Sequence, residues 1–336
     1  MAAPGPVPVT LLTGFLGSGK TTLLNRLVDA PQAGRVAVIV NEAGEVALDG
    51  RLVVGSTEEI VELREGCICC TVRGDLREAV GRLLDRRGAW LRRLRFDRIL
   101  VECSGLASPG PVVQTFLLDA RLAEQTRVDG VIALASAPDL ARALAEHPQS
   151  GEQLGYADQV LLNHADRVDA AGLAQAMALV RRANPAAAVQ STVRAEVAPG
   201  PLLDLGGHDP RRWRLERAAT EGDHDAHDAH HDHDVHDAHD VTHLAFETGA
   251  EVDLGRLKLF LQFVAARRTW SLIRLKGLFR CQDQARAVVA HGIYQWLELG
   301  PADLPRPDRS QLVLIGRGLD AAELGRAWTA AVGPPG

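Results

Sequence analysis

The sequence predicts an α/β fold: a parallel-sheet domain opening on a phosphate-binding loop, followed by a small α+β domain. Three observations carry that expectation. Short apolar runs alternate with amphipathic stretches over the first 200 residues, the order that builds a parallel sheet with helices on its faces. Residues 14–21 read GFLGSGKT, which fits G-x-x-x-x-G-K-[ST] directly after an apolar run. The composition then breaks, and order returns near Leu244 as mixed strands and helices.

Taken in order, Val7–Thr13, Val36–Asn41, Arg98–Cys103, Gly130–Ala135, Gln159–Asn163 and Ala188–Thr192 read as strands. Several are apolar almost throughout, as buried parallel strands are. Helical patterns lie between them at Lys20–Asp29, Leu76–Arg87, Val112–Asp119, Asp139–Glu146 and Ala170–Arg182. In the second of these, Leu76, Val80, Leu83 and Leu84 share a face. Residues 196–222 carry Pro, Gly and a solvated run, Arg211–Arg217. Residues 224–243 hold eight His and six Asp in twenty positions, with no apolar period and so no core. Beyond them come a strand (Leu244–Thr248), a helix (Asp253–Ala266), strands Thr269–Phe279, Arg286–His291, Tyr294–Leu299 and Leu312–Ile315, and a last helix, Asp320–Ala331. The expected division is 1–200, a linker over 201–243, and 244–336.

Composition excludes several classes. Hydrophobic residues make up 46% and charged residues 24% of 336, the values of a globular chain rather than a disordered one. No stretch approaches the roughly 18 apolar residues of a membrane-spanning helix. The net charge is −6, and residues 221–243 hold eight acids with no Lys or Arg, so the remainder sums to +2. That is no footprint of a nucleic-acid binder. No signal or transit peptide is read in the first residues, so the expectation is a cytoplasmic protein with reduced thiols.

The glycines Gly14, Gly17 and Gly19 let the backbone curl so that successive N–H groups face phosphate oxygens, with Ser18 and Thr22 completing the loop. The helix that follows adds its dipole. Lys20 is expected at the β- and γ-phosphates and the Thr21 hydroxyl on Mg²⁺. A second carboxylate near Mg²⁺ is offered by Glu102, at the end of the strand RILVE, and Gly105 can present an N–H to the γ-phosphate. An ordinary strand end is the other reading of Glu102. The run LLNHAD ends another apolar strand with Asn163 and Asp166. Asp166 can accept from guanine N1–H and N2–H₂, whereas adenine turns a lone pair toward it, so GTP is preferred to ATP. A plain helix cap by Asp166 is the alternative.

Cys67, Cys69 and Cys70 crowd into four positions of EGCICC. Three thiolates can supply soft ligands to Zn²⁺, Co²⁺ or Cu⁺ but cannot fill a tetrahedral site, so a fourth ligand comes from elsewhere. A buried small-residue cluster and a redox switch remain alternatives. Cys103 and Cys281 are solitary and read as packing residues. The His/Asp tract reads as a loose metal buffer or a solvated linker.

Together GFLGSGKTTLLN, NEAGEVALDG, ELREGCICCTVRGDL, VECSGLASPGPVVQTF, NHAD and LIRLKG resemble the CobW-type metallochaperone GTPases, over nearly the whole chain. The resemblance implies a P-loop, Rossmann-like GTPase domain and a C-terminal domain joined by a His-rich segment. It implies GTP hydrolysis, with Mg²⁺, coupled to delivery of a metal to a client metalloprotein. It places Glu42, Glu45 and Asp49 in the first switch loop: Glu42 or Glu45 to complete or sense the metal site, Asp49 to position the attacking water. The wording GLASPGPVVQTF is closest to the branch linked to zinc; cobalt, nickel and iron branches share most motifs. Three departures stand out: Ala43 replaces a Phe, His164 replaces the Lys of NKxD, and Ser108 replaces an Asp. The client, and whether a nucleotide-dependent homodimer forms, are left open. Two other classes compete: a storage or sensing protein with negligible turnover, and a P-loop small-molecule kinase, which has no need of CICC.

Overall fold

The computed structural model describes residues 5–40, 71–88, 96–213, 215, 241–267 and 269–333. Ala43, Glu42, Glu45, Asp49, Cys67, Cys69, Cys70 and residues 224–240 of the His/Asp tract lie outside them. The chain divides into two compact units, Met1–Met177 with Val189–His208, and Ala178–Ala188 with Asp209–Gly336.

The first unit is built on β1 (Val7–Gly14), β2 (Val36–Val40), β3 (Arg98–Glu102), β4 (Thr126–Ser136), β5 (Gln159–Asn163) and β6 (Ala188–Ser191). They form one sheet in the order β2-β3-β1-β4-β5-β6. Every pairing from β2 through β5 is parallel. The order reverses at β1, whose neighbours β3 and β4 lead the chain to opposite sides. In an open parallel sheet, ligands bind in the crevice at that switch point, beyond the C-terminal strand ends.

Eight helices are described here: α1 (Lys20–Val28), α2 (Thr71–Gly88), α3 (Gly110–Leu118), α4 (Ala120–Gln125), α5 (Leu140–Glu146), α6 (Pro148–Tyr156), α7 (Ala170–Ala183) and the short α8 (Pro199–Leu202). On one face of the sheet Leu23, Leu24 and Leu27 of α1 pack with Leu12, Leu100, Ile132, Leu134 and Leu161. The same cluster takes in Leu202 and Leu203, at the start of the stretch read as linker. That stretch is tied down again at Asp129, which is fully buried and accepts from the backbone N–H groups of Leu205 and Gly206. A buried carboxylate needs such partners. On α2 the four residues expected on one face, Leu76, Val80, Leu83 and Leu84, are all buried.

Three helices were not expected from sequence: α4, α6 and the short α8. Asp119 ends α3 and at once caps α4, its Oδ1 accepting from Arg121 N and Leu122 N at 3.1 and 3.0 Å. With no residue between them, two helices read as one helix and a tail. α6 reads PQSGEQLGY, starting with Pro and carrying two glycines. It buries Ser150, Gly151, Gln153, Leu154, Gly155 and Tyr156, so small and polar residues share its inner face with Leu154 and Tyr156.

The second unit is a five-stranded sheet ordered β10-β9-β8-β11-β7. Its strands are β7 (Val241–Thr248), β8 (Ser271–Phe279), β9 (Arg286–Ile293), β10 (Trp296–Pro305) and β11 (Ser310–Arg317), paired antiparallel throughout. α9 (Leu254–Ala266) and α10 (Ala321–Val332) complete it. Phe260 and Trp328 of these helices meet Phe246 and Phe279 of the sheet in one aromatic cluster. β10 runs longer than expected, through Pro301 to Pro305, which an edge strand tolerates because its outer N–H groups need no partner. β7 begins at Val241, so the last three residues of the tract read as solvated, 241–243, belong to a strand. Val241 is buried and His243 Nδ1 donates to Arg182 O at 2.9 Å. Strand pairing with β11 from Arg317 to Ser310 overrides the local composition. No helix among the described residues is long and apolar enough to cross a membrane.

Candidate nucleotide site

β1 leaves the middle of the sheet and turns through Phe15–Gly19 into α1. Gly14, Gly17 and Gly19 all have positive φ, at 134°, 73° and 103°. At Gly19 the requirement is also spatial: a Cβ there would lie 2.5 Å from Asn163 Nδ2. Ser18 is buried, and its Oγ makes no hydrogen bond among the described residues. Lys20 is buried, and its Nζ donates to Phe15 O across the loop at 3.1 Å. Burial pushes its pKa down, opposed by the nearby Glu102 and Cys103. The ammonium is thus poorly solvated, the condition in which an anion beside it is worth most.

β3 delivers Glu102 to the next strand end. Thr21 Oγ1 donates to Glu102 Oε1 at 2.8 Å, so the two groups expected to flank Mg²⁺ converge. A hydroxyl and a carboxylate are hard oxygen donors of the kind Mg²⁺ takes alongside phosphate oxygens and water. The residues present therefore fit the ion. Thr21 and Thr22, in the first turn of α1, are exposed. Past Glu102 the turn Ser104–Ala107 closes with Ala107 N donating to Ser104 O at 3.0 Å. Gly105 lies against the loop: a Cβ there would be 2.9 Å from Leu16 N. Cys103 and Cys281 are both fully buried, as packing residues are, and burial pushes the Cys103 thiol up to about 12.

β5 ends at Asn163, which is buried and ties the site together. Its Nδ2 donates to Ser18 O at 2.8 Å and its Oδ1 accepts from Ala195 N at 3.0 Å. Asp166 follows, exposed, in the single turn Ala165–Arg167. His164 between them adopts the left-handed conformation, φ 58°. Its imidazole does not stand alone where the NKxD lysine would be: Nδ1 lies 3.1 Å from Ser136 Oγ, which donates to Asp139 Oδ2 at 2.7 Å. The Ser136 hydroxyl spends its only proton on Asp139, so Nδ1 is the donor in the first contact. Ser136 and then Arg142 hold the Asp139 carboxyl below its usual range.

Three contributors carry no motif. Ala195 acts through its backbone N–H, in a run where Arg194 and Ala195 both have positive φ, 52° and 54°. His147 stacks on Phe15 of the loop, ring centroids 4.3 Å apart. Gln153 of α6 donates from Nε2 to both Gly105 O and Ala107 O, at 3.0 and 3.1 Å. It is one of two glutamines in this helix, with Gln149, and nothing in the sequence marks it out. Among the described residues no group of three or more His, Cys, Asp or Glu could hold a metal ion.

The geometry agrees with what the chain is similar to. The model for the CobW/HypB/UreG nucleotide-binding domain matches residues 8–191, and that for the cobalamin synthesis protein cobW C-terminal domain matches residues 241–332. The zinc chaperone YjiA of Escherichia coli is 31% identical over 329 residues, covering 96% of this chain and 98% of its own. The zinc-regulated GTPase metalloprotein activator 1 of Schizosaccharomyces pombe is 30% identical, covering 94% and 83%. The crystal structure of Zn(II)-bound YjiA GTPase from E. coli superposes with a TM-score of 0.73 at 25% identity, covering 98% and 99%. With both of its units matched and its loop, Glu102 and Asn163 brought to one strand-end crevice, the chain belongs to the CobW/HypB/UreG family.

Proposed function

We propose that this protein is a GTP-hydrolysing metallochaperone that takes up zinc at Cys67, Cys69 and Cys70 and passes it to a client metalloprotein in the reducing cytoplasm. The observation that carries the nucleotide half is the 2.8 Å contact between Thr21 and Glu102, which joins the phosphate loop to the neighbouring strand end. The metal half rests on three thiols in four positions, in a chain whose relatives are named zinc chaperones.

In this reading the loop N–H groups and Lys20 take the β- and γ-phosphates, and Asp166 takes the guanine edge. Thr21 and Glu102 hold Mg²⁺, which neutralises charge on the phosphates when bound. Water adds to the γ-phosphorus, the bond to the bridging oxygen breaks, and GDP and phosphate leave. Lys20 offsets charge that grows on the departing oxygens. Asp49 positions the water and Glu42 or Glu45 senses the metal, both on the strength of the resemblance. Asn163 supports guanine binding indirectly, by holding Ser18 and the segment at Ala195.

Cobalt tests the coupling. Tetrahedral thiolate Co²⁺ absorbs by charge transfer, and uptake of the ion releases thiol protons. With Co²⁺ bound, the band is expected with GTP, fading as GTP is hydrolysed, and lost in Cys67→Ser and Cys69→Ser. If GTP tightens the metal tenfold, metal tightens GTP tenfold, about 1.4 kcal/mol. An identical spectrum with GTP, with GDP and without nucleotide would sink the chaperone reading. GTP hydrolysis too slow to measure, with metal tightly held, would favour storage instead.

A further inference from the structure

The function above leaves α6 without a role, yet this helix reaches both loops that face the phosphates. Its first flanking residue, His147, stacks on Phe15 of the phosphate loop. One turn into the helix, Gln153 is 1% exposed and spends both protons of its side-chain amide on the turn after β3. The amide orientation is settled by chemistry: two carbonyl oxygens can only accept, so Nε2 and not Oε1 faces them.

We propose that Gln153 is a positioning residue for the γ-phosphate: it locks the turn Ser104–Ala107 so that the Gly105 N–H is presented to the phosphate loop before nucleotide arrives. The N–H of Gly105 lies in the same rigid plane as the carbonyl of Ser104, pointing the opposite way. That carbonyl accepts from Ala107 N at 3.0 Å and so points into the turn. Gly105 N–H therefore points out of the turn. Gln153 fixes two more of the turn's carbonyls, of Gly105 and Ala107, and through them the orientation of the turn. The turn has no slack on its far side, where Gly105 abuts the backbone of Leu16. Gln153 on one side and the phosphate loop on the other leave it one place to sit. A donor held in position before the reaction costs no reorganisation during it. The brace also ties the turn to the segment that leads into β5 and Asn163, since α6 is the element immediately before that strand.

This rests on the GTPase reading, and the consequence is a split between nucleotides. GDP has no γ-phosphate and should not register the loss of Gln153. The full-length protein is titrated with GDP and with a non-hydrolysable GTP analogue, each with Mg²⁺, alongside steady-state GTP hydrolysis. Gln153→Leu keeps the volume and removes both donors; Gln153→Glu keeps the shape and sets a carboxylate against the two carbonyls. For either variant that retains a cooperative melt, GDP affinity should stay within twofold. Analogue affinity should fall at least tenfold, and kcat should fall with it. Equal weakening of GDP and analogue would make Gln153 a plain structural residue, and no change in either would show that the turn holds itself; both overturn the proposal. If neither variant folds, Gln153 supports the fold rather than the turn, and the proposal fails as well. The two readings fail separately. A wild-type protein that neither hydrolyses GTP nor binds the analogue defeats the GTPase assignment. A wild-type GTPase whose Gln153 variants behave like it defeats only the brace.

Discussion

Replacing Asn163 by Ala tests how the base side of the site is joined to the phosphate side. The side chain is 1% exposed and makes two hydrogen bonds, 2.8 Å to Ser18 O and 3.0 Å from Ala195 N. Both partners are backbone groups of buried residues, so truncation strands one acceptor and one donor. Each stranded group costs about 1–3 kcal/mol, so the pair costs roughly 2–6 kcal/mol. At about 3 kcal/mol, a domain of this size should melt roughly 6–12 °C lower. Calorimetry of the full-length protein measures the shift. Nucleotide binding should weaken too, because the Ser18 carbonyl is part of the loop that wraps the phosphates. If the order of that loop must come from the ligand instead, about 1–3 kcal/mol of binding is lost, roughly 5- to 150-fold. GDP and GTP should suffer alike, since the loop serves the β-phosphate of both. Asn163→Asp refines the test: it keeps the acceptor for Ala195 N and turns a carboxylate toward the Ser18 carbonyl. It should bind nucleotide no better than the alanine variant at neutral pH. A lowered melting temperature with unchanged affinity for both nucleotides would refute the reasoning, leaving Asn163 as a tie in the fold with no hand in the loop.

Further outcomes follow from single contacts. Gly105→Ala would set a Cβ 2.9 Å from the Leu16 backbone nitrogen, which cannot yield as a side chain can. The turn must withdraw, and loss of one transition-state donor should lower GTP turnover about 10²–10³-fold while GDP affinity holds. Lys20→Ala should abolish measurable hydrolysis with the melt preserved, because a buried, desolvated cation is removed rather than a core side chain. Cys103, held up at about 12 by burial, should stay unmodified by iodoacetamide at pH 8 in the native protein, as read by peptide mass. The sign of its linkage is fixed: between its ordinary value of 9.0 and about 12 the unfolded chain loses the proton and the folded chain does not. Its contribution to stability is therefore present below pH 9.0 and falls as pH rises through that window, and Cys103→Ala should flatten that part of the profile. Deleting residues 223–240 should lower the number of weakly bound ions and spare GTP hydrolysis; extending the cut to residue 243 should also destabilise the second unit, because Val241 and His243 belong to β7.

By itself the sequence determined the local grammar. Apolar runs bounded by glycine and aspartate placed each strand of the first sheet to within a few residues. The spacing of Gly14 to Thr21 specified a loop that wraps phosphate, because that backbone path needs glycine at positive φ and a lysine at its end. The expectation that Thr21 and Glu102 lie together was legible too, since Thr21 is in the first turn of the helix that follows β1 and Glu102 ends β3, the strand beside it. What only the tertiary structure decided is which distant groups complete the site. Asn163 reaches back 145 residues to Ser18, and Gln153 reaches 48 residues to Gly105. Neither contact leaves a periodic trace, because a single buried amide satisfies backbone groups whose positions depend on strand order. The same holds for His164, whose ring is claimed by Ser136 across the β4–β5 pairing. It holds for residues 241–243, where cross-strand hydrogen bonds to β11 outweigh a composition that reads as solvated. Local propensity acts over a few residues; strand pairing acts across the sheet, and at these positions the longer-range interaction prevails.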